Sequence, residues 1–138
     1  MLVVFDLLKY PPKVLVAFGE TFFGNKELMT WLMTNGYPEL GALSYAIQGS
    51  EDAFDWLMKN GFPQLAALDS AIDDDVNAYT WLRLNKYLFS VVFTDAVHGS
   101  PEAIGWFNKH NLQVILRITQ RIRELRDSKT FDYHKLHF

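Results

Sequence analysis

The stretch SEDAFDWLMKNGFPQLAAL, residues 50–68, decides the fold. Ser50 offers a hydroxyl to the first free N–H groups of a helix, and Glu51 and Asp52 place negative charge in its first turn, where the helix dipole favours it. Ala53, Trp56, Leu57 and Asn60 follow at i, i+3, i+4 and i+7, which is one face of a helix. Gly61 can take the left-handed conformation that closes that helix, and Phe62 suits the apolar contact that accompanies such an ending. Pro63 then occupies the first position of a second helix, whose apolar face is Leu65, Leu68, Ala71 and Ile72. Two helices of about ten residues joined by so short a turn must lie antiparallel and side by side.

Working outward, the same unit recurs. Trp31, Trp56, Trp81 and Trp106 are spaced by 25 residues each time. The neighbouring columns agree: Leu32, Leu57, Leu82, Phe107; Asn35, Asn60, Asn85, His110; Gly36, Gly61, Lys86, Asn111; Tyr37, Phe62, Tyr87, Leu112. In the second helix they are Leu43, Leu68, Phe93, Ile118 and Ile47, Ile72, Val97, Ile122. The pattern extends partly backwards, with Phe22 over Ile47, Ala17 over Ala42, and Gly24-Asn25 over Gly49-Ser50. Asn25, Ser50, Asp75 and Ser100 are the expected N-caps of the Trp-bearing helices. Lys86 is the weakest of the four helix endings, because a side chain resists the left-handed region.

One hairpin cannot bury its own apolar face, whereas stacked copies bury a continuous core. The sequence therefore predicts an all-α chain, a superhelix (solenoid) of about four to five stacked 25-residue helical hairpins, forming a single domain over 1–138. The repeat core spans about 12–127. Helices are expected at 13–23, 26–35, 38–48, 51–60, 63–73, 76–86, 88–98, 101–110 and 112–126. Residues 2–9 can add a fragment at the N-terminal end, and 128–138 form a tail whose Phe131, Tyr133, Leu136 and Phe138 can cover the end of the stack.

The segment AIQGSEDAFDWLMKNGFP (Ala46–Pro63) resembles the helix-turn-helix half of an ankyrin repeat, in the short Trp-containing form with an xxAxxWLxxNGxP helix. The likeness covers the copies from about residue 24 to 112. The period is 25 instead of about 33, the T-P-L-H-x-A signature is absent, and no residues remain for a β-hairpin. What the resemblance implies is a binding scaffold without catalysis.

Composition sets further bounds. Aromatic residues make up 15% of the chain, which argues against disorder. There is no cysteine, so disulfides, thiol catalysis and cysteine-based zinc sites are excluded. The N-terminus has no signal-peptide pattern and no stretch approaches a membrane span of about 20 apolar residues. The chain is read as cytoplasmic, with no membrane partner. The net charge of −3 predicts no general attraction to nucleic acid. The distribution is uneven: 7 basic against 13 acidic residues over 1–112, and 6 against 3 over 113–138.

No phosphate loop, nucleophile elbow or zinc pattern occurs, and no enzyme activity, cofactor or metal is expected. The Trp column is read as core and the Asn column as bonding to backbone. Arg117 and Arg121 fall where inner copies carry small apolar residues, which is what a terminal copy facing water would need. The most variable polar columns lie on the Trp-free helices: Ser44, Asp69, Thr94, Thr119; Tyr45, Ser70, Asp95, Gln120; Gln48, Asp73, His98, Arg123. From them Tyr45, Asp69, Asp73, Thr94, Asp95 and His98 are the candidate contacts to a protein or peptide partner. The alternative is a small-ligand, metal or enzymatic site on the acidic face around Asp69, Asp73 and Asp95. A third reading, nucleic-acid binding through Arg117, Arg121, Arg123 and Arg126, is ranked below capping.

Overall fold

The computed structural model describes the backbone of residues 7–136 and the side chains of residues 7–128. The described residues form helices without strands: α1 (Pro12–Thr21), α2 (Lys26–Thr34), α3 (Pro38–Ile47), α4 (Glu51–Lys59), α5 (Pro63–Ile72), α6 (Val76–Leu84), α7 (Leu88–Val97), α8 (Pro101–Lys109) and α9 (Gln113–Leu136). No described helix is long and apolar enough to cross a membrane.

Each Trp-bearing helix begins as its sequence requires. The side chains of Asn25, Ser50, Asp75 and Ser100 accept the N–H of Leu28, Ala53, Ala78 and Ala103 at 3.1–3.3 Å. At the other end, the Nδ2 of Asn35, Asn60 and Asn85 donates to the carbonyl of the Trp four residues back at 2.8, 2.8 and 2.9 Å. His110 makes the matching contact through Nδ1 at 2.8 Å. The Asn column therefore returns free C-terminal carbonyls to a partner. The closing residues all have positive φ: Gly36 at 94°, Gly61 at 86°, Lys86 at 63° and Asn111 at 57°.

The Trp column packs on the edge of the core in three copies and leaves it in one, Trp81. Trp31, Trp56 and Trp106 are half-buried and Trp81 is exposed, while the next residue in each copy, Leu32, Leu57, Leu82 or Phe107, is fully buried. The leucine points between the neighbouring helices. The indole lies flat on the aromatic after the turn, with centroids 6.1 Å apart for Trp31 and Tyr37, 6.0 Å for Trp56 and Phe62, and 5.6 Å for Trp81 and Tyr87. It shields the turn and the helix end from water.

The helical hairpins stack, and the stack curves until its ends meet. α1 touches α3, α3 touches α5, α5 touches α7, α7 touches α9, and α9 returns to α1. These five helices form an inner ring. α2, α4, α6 and α8 lie outside, each packed on the two inner helices that it links in sequence. The ring is filled by the columns Phe18, Leu43, Leu68, Phe93, Ile118 and Phe22, Ile72, Val97, Ile122.

Closure changes the meaning of two arginines. Arg117 and Arg121 do not cap a bare face; they meet the first helix. Arg121 Nε donates to the carbonyl of Phe22 at 3.0 Å, at the negative end of the α1 dipole. Both guanidinium groups lie over the Phe23 ring, at 5.1 Å and 4.7 Å, and Arg117 is 3.5 Å from Glu20. Gly19 permits the close approach: a Cβ there would stand 2.8 Å from Ile118 Cγ1.

The last helix also exceeds the expected end at 126. α9 runs to Leu136 because Glu124-Leu125 replaces the Gly and N-cap pair found at Gly24-Asn25, Gly49-Ser50 and Gly99-Ser100. Nothing stops the helix there and no cap starts another. The side chains of Phe131, Tyr133 and Leu136, proposed above to cover the stack, lie outside the described ones, as does Phe138. Most of the fragment expected at 2–9 lies outside as well, since description begins at Leu7.

Candidate interaction surface

Three grooves lie in a row on the ring, each framed by the C-terminal half of one inner helix, the next inner helix and the outer helix between them. The first, of about 440 Å³, has Ala46 as floor, Phe54 as wall, and Glu51, Asp55, Asp69, Ser70 and Asp73 around it. The second, of about 330 Å³, has Ala71 as floor, Tyr79 as wall, and Asp74, Asp75, Asp95 and His98 around it. The third, of about 270 Å³, has Ala96 as floor, Ile104 as wall, and Thr119, Gln120 and Arg123 around it. Floor, wall and rim positions advance by 25 residues from one groove to the next. The alanine floor is constant because a larger residue would fill the gap between the helices. The rims differ in every copy.

The structure therefore brings Asp69 and Asp73 together in one groove and Asp95 and His98 in the adjacent one. Tyr45 is exposed on α3 and lines none of the three. Thr94 has to be withdrawn as a partner contact. Its side chain is fully buried and its Oγ1 donates to the carbonyl of Ser90 at 2.9 Å. The same holds for its column: Ser44 and Thr119 are buried between inner helices, with Thr119 bonded back to Leu116 and Ser44 paired with Thr21. A short hydroxyl satisfied by its own helix is small enough to sit at a helix–helix contact. Sequence polarity alone made this column look solvent-facing.

Asp69 is the charged member of that buried column. Burial first, and then the neighbouring Asp73 carboxylate, together raise its pKa from the ordinary value to about 6. Its neighbours along the rim are tied down. Arg126 reaches across from α9 to Asp73 at 3.2 Å and Asp74 at 3.1 Å. His98 Nε2 stands 2.9 Å from the Ile72 carbonyl and 3.2 Å from Asp74, so Nε2 carries the proton. Asp74 holds φ at 71° where three other copies have glycine. Tyr79 donates to Asp95 at 2.8 Å; burial, then that carboxylate, pushes the phenol pKa up.

The helix walls Phe54, Tyr79 and Ile104, with the exposed carboxylates Glu51 and Asp55, belong to the surface and escaped the sequence reading, which considered inner helices alone. Their common 25-residue column was the available signal. Among the described residues no group of three or more His, Asp or Glu side chains is placed to hold a metal ion. Three of the four arginines of the C-terminal stripe make contacts within the chain, Arg117 and Arg121 on α1 and Arg126 on Asp73 and Asp74, while Arg123 is exposed beside Gly99. No protein-family model, no curated protein and no solved structure matches the chain.

Proposed function

We propose that this chain is a non-catalytic, cytoplasmic interaction module that holds an extended protein segment across the three grooves. The observation that carries the reading is the groove that recurs every 25 residues with a constant alanine floor and a changing rim. Neighbouring packed helices stand about 8–10 Å apart. An extended segment in the polyproline II conformation advances about 3.1 Å per residue with three residues per turn, so every third side chain points the same way. Every third side chain of such a segment would therefore meet a groove. The first two grooves carry Glu51, Asp55, Asp69, Asp73 and Asp95, which favours Lys or Arg in the segment there; Arg123 at the third favours a neutral or acidic residue. The likeness to short ankyrin repeats supports the same class of function.

Selection from a displayed library of random twelve-residue peptides tests this. Enriched peptides should carry basic residues at a spacing of three, bind more weakly as salt rises, and fail to bind the Asp55→Lys/Asp73→Lys variant. Enrichment of nothing, or binding indifferent to that charge reversal, would sink the proposal.

The acid–base or ligand reading of the acidic face rests on the raised pKa of Asp69. Asp95 lies in the next groove and is engaged by Tyr79, which leaves Asp69 and Asp73 as its pair. A rise in thermal stability with a divalent ion, abolished in Asp69→Asn, would favour it.

A further inference from the structure

The turns that join each outer helix to the next inner one share an edge of the ring, because short turns make successive helices antiparallel and the inner helices parallel. That edge is basic. With the residues just before α1 it carries Lys9, Lys13, Lys59, Lys86 and Lys109, all exposed. The acid placed there among the described residues, Glu39, is buried and accepts a bond from Tyr10 at 2.7 Å. The opposite edge carries Glu51, Asp52, Asp73, Asp74, Asp75 and Glu102. Helix dipoles account for part of this polarity, since Lys59 and Lys109 stand in the last turns of α4 and α8.

Dipoles do not account for the turn between α6 and α7. Leu84 takes the column of Thr34, Lys59 and Lys109, and it is 77% exposed. Leu88 takes the column of Pro38 and Pro63, and it is 38% exposed. Lys86 takes the column of Gly36 and Gly61 and holds φ at 63°. Trp81, one helical turn before Leu84, is more open than the other three tryptophans. The fourth copy departs from the glycine and proline columns too, but with the polar Asn111 and Gln113. A solvated leucine, a lysine in the left-handed region and the loss of a proline suited to N1 each work against the fold. Local rules broken together in one turn mark a surface kept for function.

We propose that this corner, with Trp81, Leu84 and Leu88 at its centre and Lys59, Lys86 and Lys109 around them, docks an acidic protein segment that carries an apolar anchor. A tryptophan and two leucines give the apolar centre on which interface energies depend. The lysines select carboxylates and speed their approach. A phosphate backbone would meet the lysines but leave both leucines in water. A bilayer would meet the whole edge, where the second copy presents Lys59, Gly61 and Pro63 in place of the apolar pair. None of the corner residues lines the three grooves, so the inference is independent of the binding role given to them.

The test selects displayed random peptides on the full chain and counter-selects them on Leu84→Lys/Leu88→Gln, which carries the fourth-copy residues at both positions. Surviving peptides should combine Asp or Glu with a Leu, Phe or Trp and bind more weakly as salt rises. Their affinity should fall about tenfold in the double variant and about threefold in Lys86→Gly. Far-UV circular dichroism confirms both folds, and Lys86→Gly relaxes the turn, so a loss of binding there is not a loss of structure. Survival of no peptide, survivors without acid, or an affinity unmoved by Lys86→Gly would overturn the proposal. So would sedimentation that finds a wild-type dimer lost in the double variant, which assigns the corner to a second copy. Phosphatidylserine vesicles that hold the wild type and release the double variant would overturn it as well, in favour of a lipid surface.

Discussion

Replacing Lys86 with glycine should stabilise the protein. Lys86 sits at φ 63° in the column that holds Gly36 and Gly61. A residue with a Cβ pays about 1–2 kcal/mol to enter the left-handed region. Glycine avoids that cost but has a freer unfolded chain, which takes back about 0.5–1 kcal/mol. The net expectation for Lys86→Gly is a gain of about 0.5–1 kcal/mol, or about 3 °C in Tm for a chain of this size. Little is lost, since the Lys86 side chain is exposed, and the closing bonds are made by backbone: Lys86 N–H to Arg83 at 3.1 Å and Tyr87 N–H to Leu82 at 2.9 Å. Urea unfolding followed by far-UV circular dichroism is the suitable assay, because the Trp81–Tyr87 stack next to the site can alter fluorescence. The reciprocal change, Gly61→Lys at φ 86°, should cost at least as much as Lys86→Gly gains. A destabilised Lys86→Gly with an unchanged urea dependence, or a Gly61→Lys that costs nothing, would refute the assignment of this column to helix closure.

Two further outcomes are expected. The raised pKa of Asp69 means that the folded state holds a proton that the unfolded state releases, between about pH 4 and 6; stability from the neutral acid is present below that window and lost as pH rises through it. Asp69→Asn should therefore raise Tm relative to wild type at pH 7 and lose that advantage at pH 4, and a pH-independent difference would contradict the burial of the carboxylate. Arg121→Ala removes a charged donor from the Phe22 carbonyl and a cation from the Phe23 ring, and should cost about 2 kcal/mol in the same urea assay; a cost below about 0.5 kcal/mol would show that ring closure does not depend on it.

Much of the local architecture was legible. A Trp column in register with N-caps, an Asn column and a Gly column is a complete description of a hairpin, and each part makes the bond expected of it. The candidate site was legible by position more than by residue. Asp69, Asp73, Asp95 and His98 line the grooves, whereas Thr94 is buried, because a threonine bonded to its own helix is polar in sequence and apolar in packing. The continuation of α9 was also available, in the loss of Gly and cap at Glu124-Leu125.

By itself the sequence determined the unit, its length and its antiparallel hairpin, since capping, left-handed closure and helical periodicity act within about ten residues. Only the tertiary structure decided that the stack closes. Curvature is the sum of small rotations set by side-chain volumes at each helix contact, and no single copy contains that sum. Gly19 against Ile118 and Arg121 on the Phe22 carbonyl are 99 residues apart in sequence, and they meet because five inner helices complete the turn.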